Sequence, residues 1–236
     1  MRISLCIAYN GTNFLGSQTQ KSSTNTILGN LEQTLTALGI KEKLIASGRT
    51  DKGVHATGQV CHVDLPPFWD DLVKLKKVLN EMLPPSIIIK NIQSVDDDFH
   101  ARYSAKKRVY RYIIKKEKTN PFIDDVITFD ESIDFDKVKK NIAIFVGTHD
   151  FENFMKSGSD TKSSVRIIHK AFAYKYKDFI VLNFEANGFL RSQIRLMVGA
   201  LLKFDSLQIT EQLSMKKKYP LKPAKSNGLY LAKIKY

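Results

Sequence analysis

The chain has 236 residues, 43% of them hydrophobic and 26% charged, enough for one large domain or two small ones around a buried core, which excludes wholesale disorder. Lys and Arg number 37 against 24 Asp and Glu, a formal net charge of +13. Such an excess is a long-range signal for a polyanion, with nucleic acid first and an anionic membrane surface second, against the plainer reading of a solvated basic surface without a partner.

From the N terminus, the large residues Ile3, Leu5, Ile7 and Tyr9 alternate with smaller ones, a period of two that reads as a strand. Ile27, Leu28, Leu31, Leu35 and Leu38 then recur at helical spacing between the start signal Thr24-Asn25-Thr26 and the stop signal Gly39. "KLIAS" and "QVCHVDL" are short strands with a loop between them. A second helix, from about Trp69 to Met82, closes before Pro84-Pro85, and "SIIIKNI" is a strand. The second half repeats this β-α-β-β-α-β order. "RVYRYIIK" is a strand; Phe135, Val138, Ile142 and Phe145 form a helical stripe ending at Gly147; "IIHKAFAYKYK" and "FIVLNFEA" form a hairpin across Lys177-Asp178; residues 188 to 203 are helical; "LYLAKIKY" is a last strand.

The expected fold is α+β: two tandem split β-α-β units with antiparallel sheets flanking a basic cleft. The first domain runs over 1–104 and carries the loop between "KLIAS" and "QVCHVDL"; the second runs over 105–236. The lysine runs "SAKKR", "IIKKEK" and "MKKKYPLK" fall at element edges and serve as an electrostatic footprint, and residues 156–165 have the composition of a loop.

Cys6 and Cys61 sit in apolar runs and read as buried thiols of a reducing compartment. His55, His62, His100, His149 and His169 show no paired ligand spacing, so no metal is expected. The first apolar run is broken at Tyr9-Asn10-Gly11, before a secretory core forms, and no stretch approaches a membrane span; a cytoplasmic protein without a membrane partner is expected.

Chemistry concentrates in "ASGRTDKGVHATGQV", residues 46–60. Asp51 stands between Arg49 and Lys52, and no other Asp or Glu occurs from Lys43 to Val63. The positive surroundings would hold Asp51 ionised. It is either a poised nucleophile or a turn residue whose carboxylate accepts local backbone hydrogen bonds. Arg195 lies on "GFLRSQIRLMVGALLKF", a helix apolar over most of its circumference, where a guanidinium needs a carboxylate, a ligand or a route to water. Tyr110 shares a strand face with Tyr112 and Ile114 and is either a core tyrosine or one that faces a cleft, to stack on a base or relay a proton.

These strings together resemble the TruA-type tRNA pseudouridine synthases over nearly the whole chain. The family's signature around its catalytic aspartate reads here Gly48-Arg49-Thr50-Asp51-Lys52-Gly53-Val54-His55-Ala56. "DFHARYSAKKRVYRYII" (98–114), "GTHDFENF" (147–154), "GFLRSQIRLMVG" (188–199) and "GLYLAKIKY" (228–236) follow in the family's order. The resemblance implies conversion of uridine to pseudouridine at positions 38 to 40 of the tRNA anticodon stem-loop by a homodimer without a cofactor. It implies Asp51 as nucleophile, Tyr110 against the target uridine or in proton transfer, Arg195 paired with Asp51, and Arg49 holding the extruded nucleotide. Thr50 and Lys52 belong to the same string. For His55, His100 and Arg102, RNA contact and ordinary loop packing both stay open.

The chain departs from the family in places. Gly16-Ser17-Gln18 stands where Gly-Trp-Gln is usual, so any packing or RNA contact of that Trp is lost or rerouted, and Ser192-Gln193 replaces bulkier residues. Two competing functions are an RNA-binding module without turnover and a hydrolase that uses Asp51 to cleave a glycosidic bond. The hydrolase lacks a second carboxylate near Asp51 in sequence.

Overall fold

A computed structural model describes residues 1–20, 23–118, 120–158 and 161–236. Among these are ten strands and five α-helices, a mixed α+β chain that divides into two compact units, Met1–Lys106 with Tyr230–Tyr236, and Lys107–Leu229.

In the first unit the order is β1 (Arg2–Tyr9), α1 (Ile27–Ala37), β2 (Ile45–Ala46), β3 (His55–Asp64), α2 (Leu72–Met82) and β4 (Ile87–Ser94). β1 lies between β3 and β4, antiparallel to both. Its alternating Ile3, Leu5, Ile7 and Tyr9 are all buried, as the period of two requires. α1 begins where the Thr26 hydroxyl accepts the Gly29 amide. It ends at Gly39, whose φ of 79° lets Ile40 and Gly39 donate back to Leu35 and Thr36 carbonyls. α2 starts three residues later than the expected Trp69. The Asp71 carboxylate takes the Val73 and Lys74 amides, and Trp69 is used in a turn onto Pro66.

β2 is only two residues long and pairs with β3 at His62 and Cys61. The other end of that same edge of β3, at His55 and Ala56, is taken in parallel by Tyr230 and Leu231 of β10 (Leu229–Lys235). Sequence order alone assigns this last strand to the second half; its residues from Tyr230 onward lie with the first unit. Gly58 permits the close passage, since a Cβ there would lie 2.4 Å from the Ala232 carbonyl oxygen.

His62, in β3, is buried, and its Nδ1 accepts the Ala101 amide at 3.1 Å, so the ring is neutral there. Burial holds its pKa below the ordinary 6.5, with nearby His100 and Arg2 acting in the same direction and Asp64 opposing them. Unfolded chains therefore take up this proton at higher pH than folded ones. The stability from His62 is complete above about pH 6.5 and is lost progressively as pH falls from there through the lower value of the folded state. Melting followed by circular dichroism from about pH 7.5 to 5 should show a decline that is smaller in His62→Gln; parallel profiles would refute the assignment.

In the second unit, β5 (Lys107–Lys115), β9 (Phe179–Ala186), β8 (Val165–Tyr176) and β7 (Gly147–Asp150) are joined in that order, all antiparallel, with the two-residue β6 (Thr128–Phe129) parallel to the end of β5. The expected hairpin turns at Lys177-Asp178, with Lys177 at φ 53°. The helical stripe from Phe135 splits into α3 (Phe135–Asn141) and a 3-10 turn, Ile142–Phe145. Phe145, Phe151 and Phe154 pack edge to face beneath them. In the loop expected over 156–165, Ser159 and Asp160 lie outside the described residues.

α4 covers Gln193–Lys203, not 188–203. Ser192 sits at φ 59°, which no helix interior tolerates, and the Gln193 side chain takes the Leu190 amide. α5 (Ser206–Leu213) was not expected from the apolar spacing. Its signal is the Asp205/Gln208 capping box, in which each side chain accepts the other's backbone N–H.

Candidate active site

Arg49, Thr50, Asp51 and Lys52 occupy the loop that leads from β2 into β3 in the first unit. Ser47 continues the pairing with β3 through its amide to the Val60 carbonyl, and the Gln59 side chain donates to the Gly48 carbonyl at 2.8 Å. Past Asp51 the chain turns. The Val54 amide donates to the Asp51 carbonyl at 3.1 Å, and Gly53 supplies the left-handed position at φ 75°. Asp51 is thus the first residue of a hydrogen-bonded turn, half-buried, with Arg49 and Lys52 exposed on either side. Turn residue and presented carboxylate are compatible in this geometry.

Two segments from outside the loop hold it. Gly11 approaches so closely that a Cβ would lie 2.0 Å from the Val54 carbonyl oxygen, and its amide donates to His55 Nδ1 at 3.0 Å. His55 is 1% exposed and stacks on Tyr230 with ring centroids 4.8 Å apart. Burial pushes the Tyr230 phenol up to about 12, so it is protonated at neutral pH. On the other side, Thr50 is buried, its hydroxyl 2.9 Å from the Tyr9 hydroxyl and its backbone bonded to Ser17.

His100 and Arg102 lie in a separate turn of the same unit. His100 Nδ1 accepts both the Arg102 and Tyr103 amides at 3.2 Å, and its ring packs 4.3 Å from that of Tyr103. Arg102 is exposed, its guanidinium 5.8 Å from the Tyr103 ring centre.

Tyr110 and Arg195 belong to the second unit. Tyr110, in β5, is buried and meets Phe189 edge to face at 5.3 Å. Its neighbour on the same face, Tyr112, is fully buried and bonded to Thr128 and the Lys225 carbonyl; burial pushes its phenol up to about 12. Arg195, in α4, is half-buried, and its Nε donates to the Ala224 carbonyl at 2.7 Å, returned by the Ala224 amide to the Arg195 carbonyl at 2.8 Å. That backbone contact meets part of the need for a partner inferred from the apolar helix.

Sequence reasoning did not single out Tyr9 as a loop contact, and it met Ser17 only as a departure from a family string. Their partner, Thr50, lies 41 and 33 residues away, beyond any local pattern. Among the described residues no group of three His, Cys, Asp or Glu side chains is placed to hold a metal ion, and no helix is long and apolar enough to cross a membrane.

The arrangement is a hydrogen-bonded loop that places Asp51, the one carboxylate of residues 43–63, between two exposed cations in a strongly basic chain. The family described as tRNA pseudouridine synthase matches over residues 5–104 and 142–236. The tRNA pseudouridine synthase A of Campylobacter jejuni strain RM1221 is 42% identical over 241 residues, covering 100% of both chains. The proteins of the same name from Wolinella succinogenes and Helicobacter hepaticus are each 37% identical, covering 98% of this chain and 92% and 97% of their own. The chain belongs to the tRNA pseudouridine synthase family.

Proposed function

We infer that the protein converts uridine to pseudouridine in the anticodon stem-loop of tRNA, at positions 38 to 40, with Asp51 as the nucleophile. Family membership makes it an isomerase acting on tRNA uridine. The observation that carries the finer reading is the Asp51 loop: the one carboxylate of residues 43–63, between two exposed cations, in a loop whose neighbouring Thr50 is held by buried hydrogen bonds to Tyr9 and Ser17. Near a polyanion a carboxylate is electrostatically unfavourable, and covalent chemistry gives a reason for placing one there.

The reaction detaches uracil from ribose, rotates it and reattaches it through carbon, with no net loss or gain of atoms. An ionised carboxylate can open this sequence by attack on the uracil ring or on the anomeric carbon. A uridine in a stem or at its edge must first be extruded, at a cost of about a few kcal/mol. Arg49, Lys52 and Arg102, all exposed, are proposed to meet the RNA, with backbone contacts offsetting that cost, while buried Thr50 holds the loop from within. His100 holds the Arg102 turn, and the burial of His55 against Gly11 and Tyr230 supports a role in holding the loop.

Tyr110 is proposed to contact the target uridine or transfer a proton, and Arg195 to pair with the charge of Asp51; both roles rest on the family resemblance. The same reading takes the two units as tandem split β-α-β modules, the enzyme as a homodimer and its location as cytoplasmic.

The test is incubation of the purified protein with an unmodified tRNA transcript, reading pseudouridine by position. Product at one or more of positions 38 to 40 is expected. Binding without turnover would favour a binding module, and free uracil or an abasic site would favour a hydrolase. Arg195→Met in the same assay is expected to lose turnover; an unchanged rate would remove Arg195 from the reaction.

A further inference from the structure

The geometry points to Ser17 as the residue that positions the Asp51 loop, its hydroxyl acting as a fixed acceptor for the backbone just ahead of the carboxylate. The Thr50 amide donates to Ser17 Oγ at 2.8 Å, and the Ser17 amide donates to the Thr50 carbonyl at 3.1 Å. That carbonyl is half of the peptide group whose nitrogen belongs to Asp51. Together with the Tyr9 hydroxyl on Thr50 Oγ1, these bonds engage every polar group of Thr50. The orientation of the Thr50–Asp51 peptide, and hence the direction in which the carboxylate leaves the loop, is set from position 17.

Ser17 is itself anchored. The first amides of α1 donate to this segment, Ile27 to the Gly16 carbonyl at 3.2 Å and Leu28 to the Ser17 carbonyl at 2.9 Å. A helix start has unpaired amides that need acceptors, so α1 grips residues 16 and 17 as part of its own capping. Gly16 lets the segment come close: its φ is 108°, and a Cβ there would lie 2.9 Å from the Thr50 carbonyl oxygen. The line of support runs from α1 through Gly16-Ser17 to Thr50 and Asp51.

The oxygen at position 17 matters more than its size. Ser17 is 1% exposed and Thr50 8%, so removing the hydroxyl strips a buried amide of its acceptor with little room for water to replace it. A tryptophan, as found in the usual family string, has no acceptor to offer this amide. In this chain that amide is held by a side-chain oxygen.

This assignment rests on Asp51 being the nucleophile, and the experiment separates the two. Turnover on a tRNA transcript is measured for the full-length protein and for Ser17→Ala, Ser17→Thr, Ser17→Val and Asp51→Asn, with thermal melts alongside. A misdirected carboxylate lowers kcat and leaves RNA contacts alone, so Ser17→Ala should lose about tenfold or more in kcat with KM for tRNA within about twofold. Thr and Val add the same bulk and differ in the oxygen, so Ser17→Thr should exceed Ser17→Val by at least about fivefold in kcat. Equal rates for Ser17→Thr and Ser17→Val, an Ala variant with parental kcat, or a loss confined to KM would overturn the role of Ser17 while Asp51→Asn stays inactive. An active Asp51→Asn would instead remove the nucleophile reading, and the Ser17 assignment with it.

Discussion

Asp51→Asn is expected to lower pseudouridine formation by more than about 10⁴-fold while tRNA binding is kept or slightly tightened. The amide has nearly the shape of the carboxylate but cannot form a covalent bond to the uracil ring or the sugar under neutral conditions, so the loss is in the chemical step. That rate ratio corresponds to about 5.5 kcal/mol in the barrier. Binding should move the other way if at all, because the variant removes a negative charge from a basic loop facing a polyanion. Asp51 takes part in the turn through its backbone carbonyl, which accepts the Val54 amide, and the substitution leaves that bond in place. The measurement pairs single-turnover kinetics with a filter-binding or fluorescence titration at one salt concentration. A variant that binds and turns over within about tenfold of the parent would leave Asp51 a turn residue.

How far the sequence reveals this arrangement depends on the range of the interaction concerned. β1 was legible because one face of a strand is buried and its period of two appears in eight consecutive residues. α1 was legible because Thr26 and Gly39 act within one turn of the helix they bound. The start of α4 was not, because apolar periodicity continues through Phe189 and Leu190 and cannot register that Ser192 is left-handed or that the Gln193 side chain takes the Leu190 amide. The place of β10 was hidden for a different reason. Its pairing is with His55 and Ala56, 175 residues earlier in the chain, on the edge of β3 that the two-residue β2 leaves open.

The candidate site shows the same division. Its charged string is contiguous, so Asp51, Arg49 and Lys52 could be read directly. The residues that hold them come from β1, from the segment before α1 and from β10, and act through single side-chain or backbone contacts that follow no sequence period. His55 illustrates the limit. A histidine beside the charged string reads equally as an RNA contact or as packing, and its burial, its bond from the Gly11 amide and its stack on Tyr230 are invisible in the string itself.

Gly11 carries the second large effect. An alanine methyl at this position would lie 2.0 Å from the Val54 carbonyl oxygen, far inside contact distance. Neither partner can yield by a rotamer change, because the obstructing atom is backbone. The Gly11 amide is tied to His55 Nδ1, its carbonyl accepts the Phe14 amide, and the Val54 amide is bonded to Asp51. Relief therefore requires about 1 Å of movement between two backbone segments, one of them three residues from the carboxylate. Overpacking of this kind costs about 3 kcal/mol, which in a chain of this size lowers Tm by roughly 6–12 °C. A displacement of about 1 Å at the carboxylate accounts for a further loss of about 10²-fold in kcat. Gly48→Ala is the matched control, with the same methyl added in the same loop. Nothing lies within 4 Å of a Cβ there and its φ is outside the left-handed region, so its stability should stay within about 0.5 kcal/mol of the parent. Melting curves for the two variants decide the matter. If Gly11→Ala melts and turns over like the parent, the loop is not braced by the segment that follows β1, and the placement of the Asp51 carboxylate must depend on other contacts. If Gly11→Ala falls and Gly48→Ala does not, the glycine of this segment is required for the close passage of backbone that seats the carboxylate.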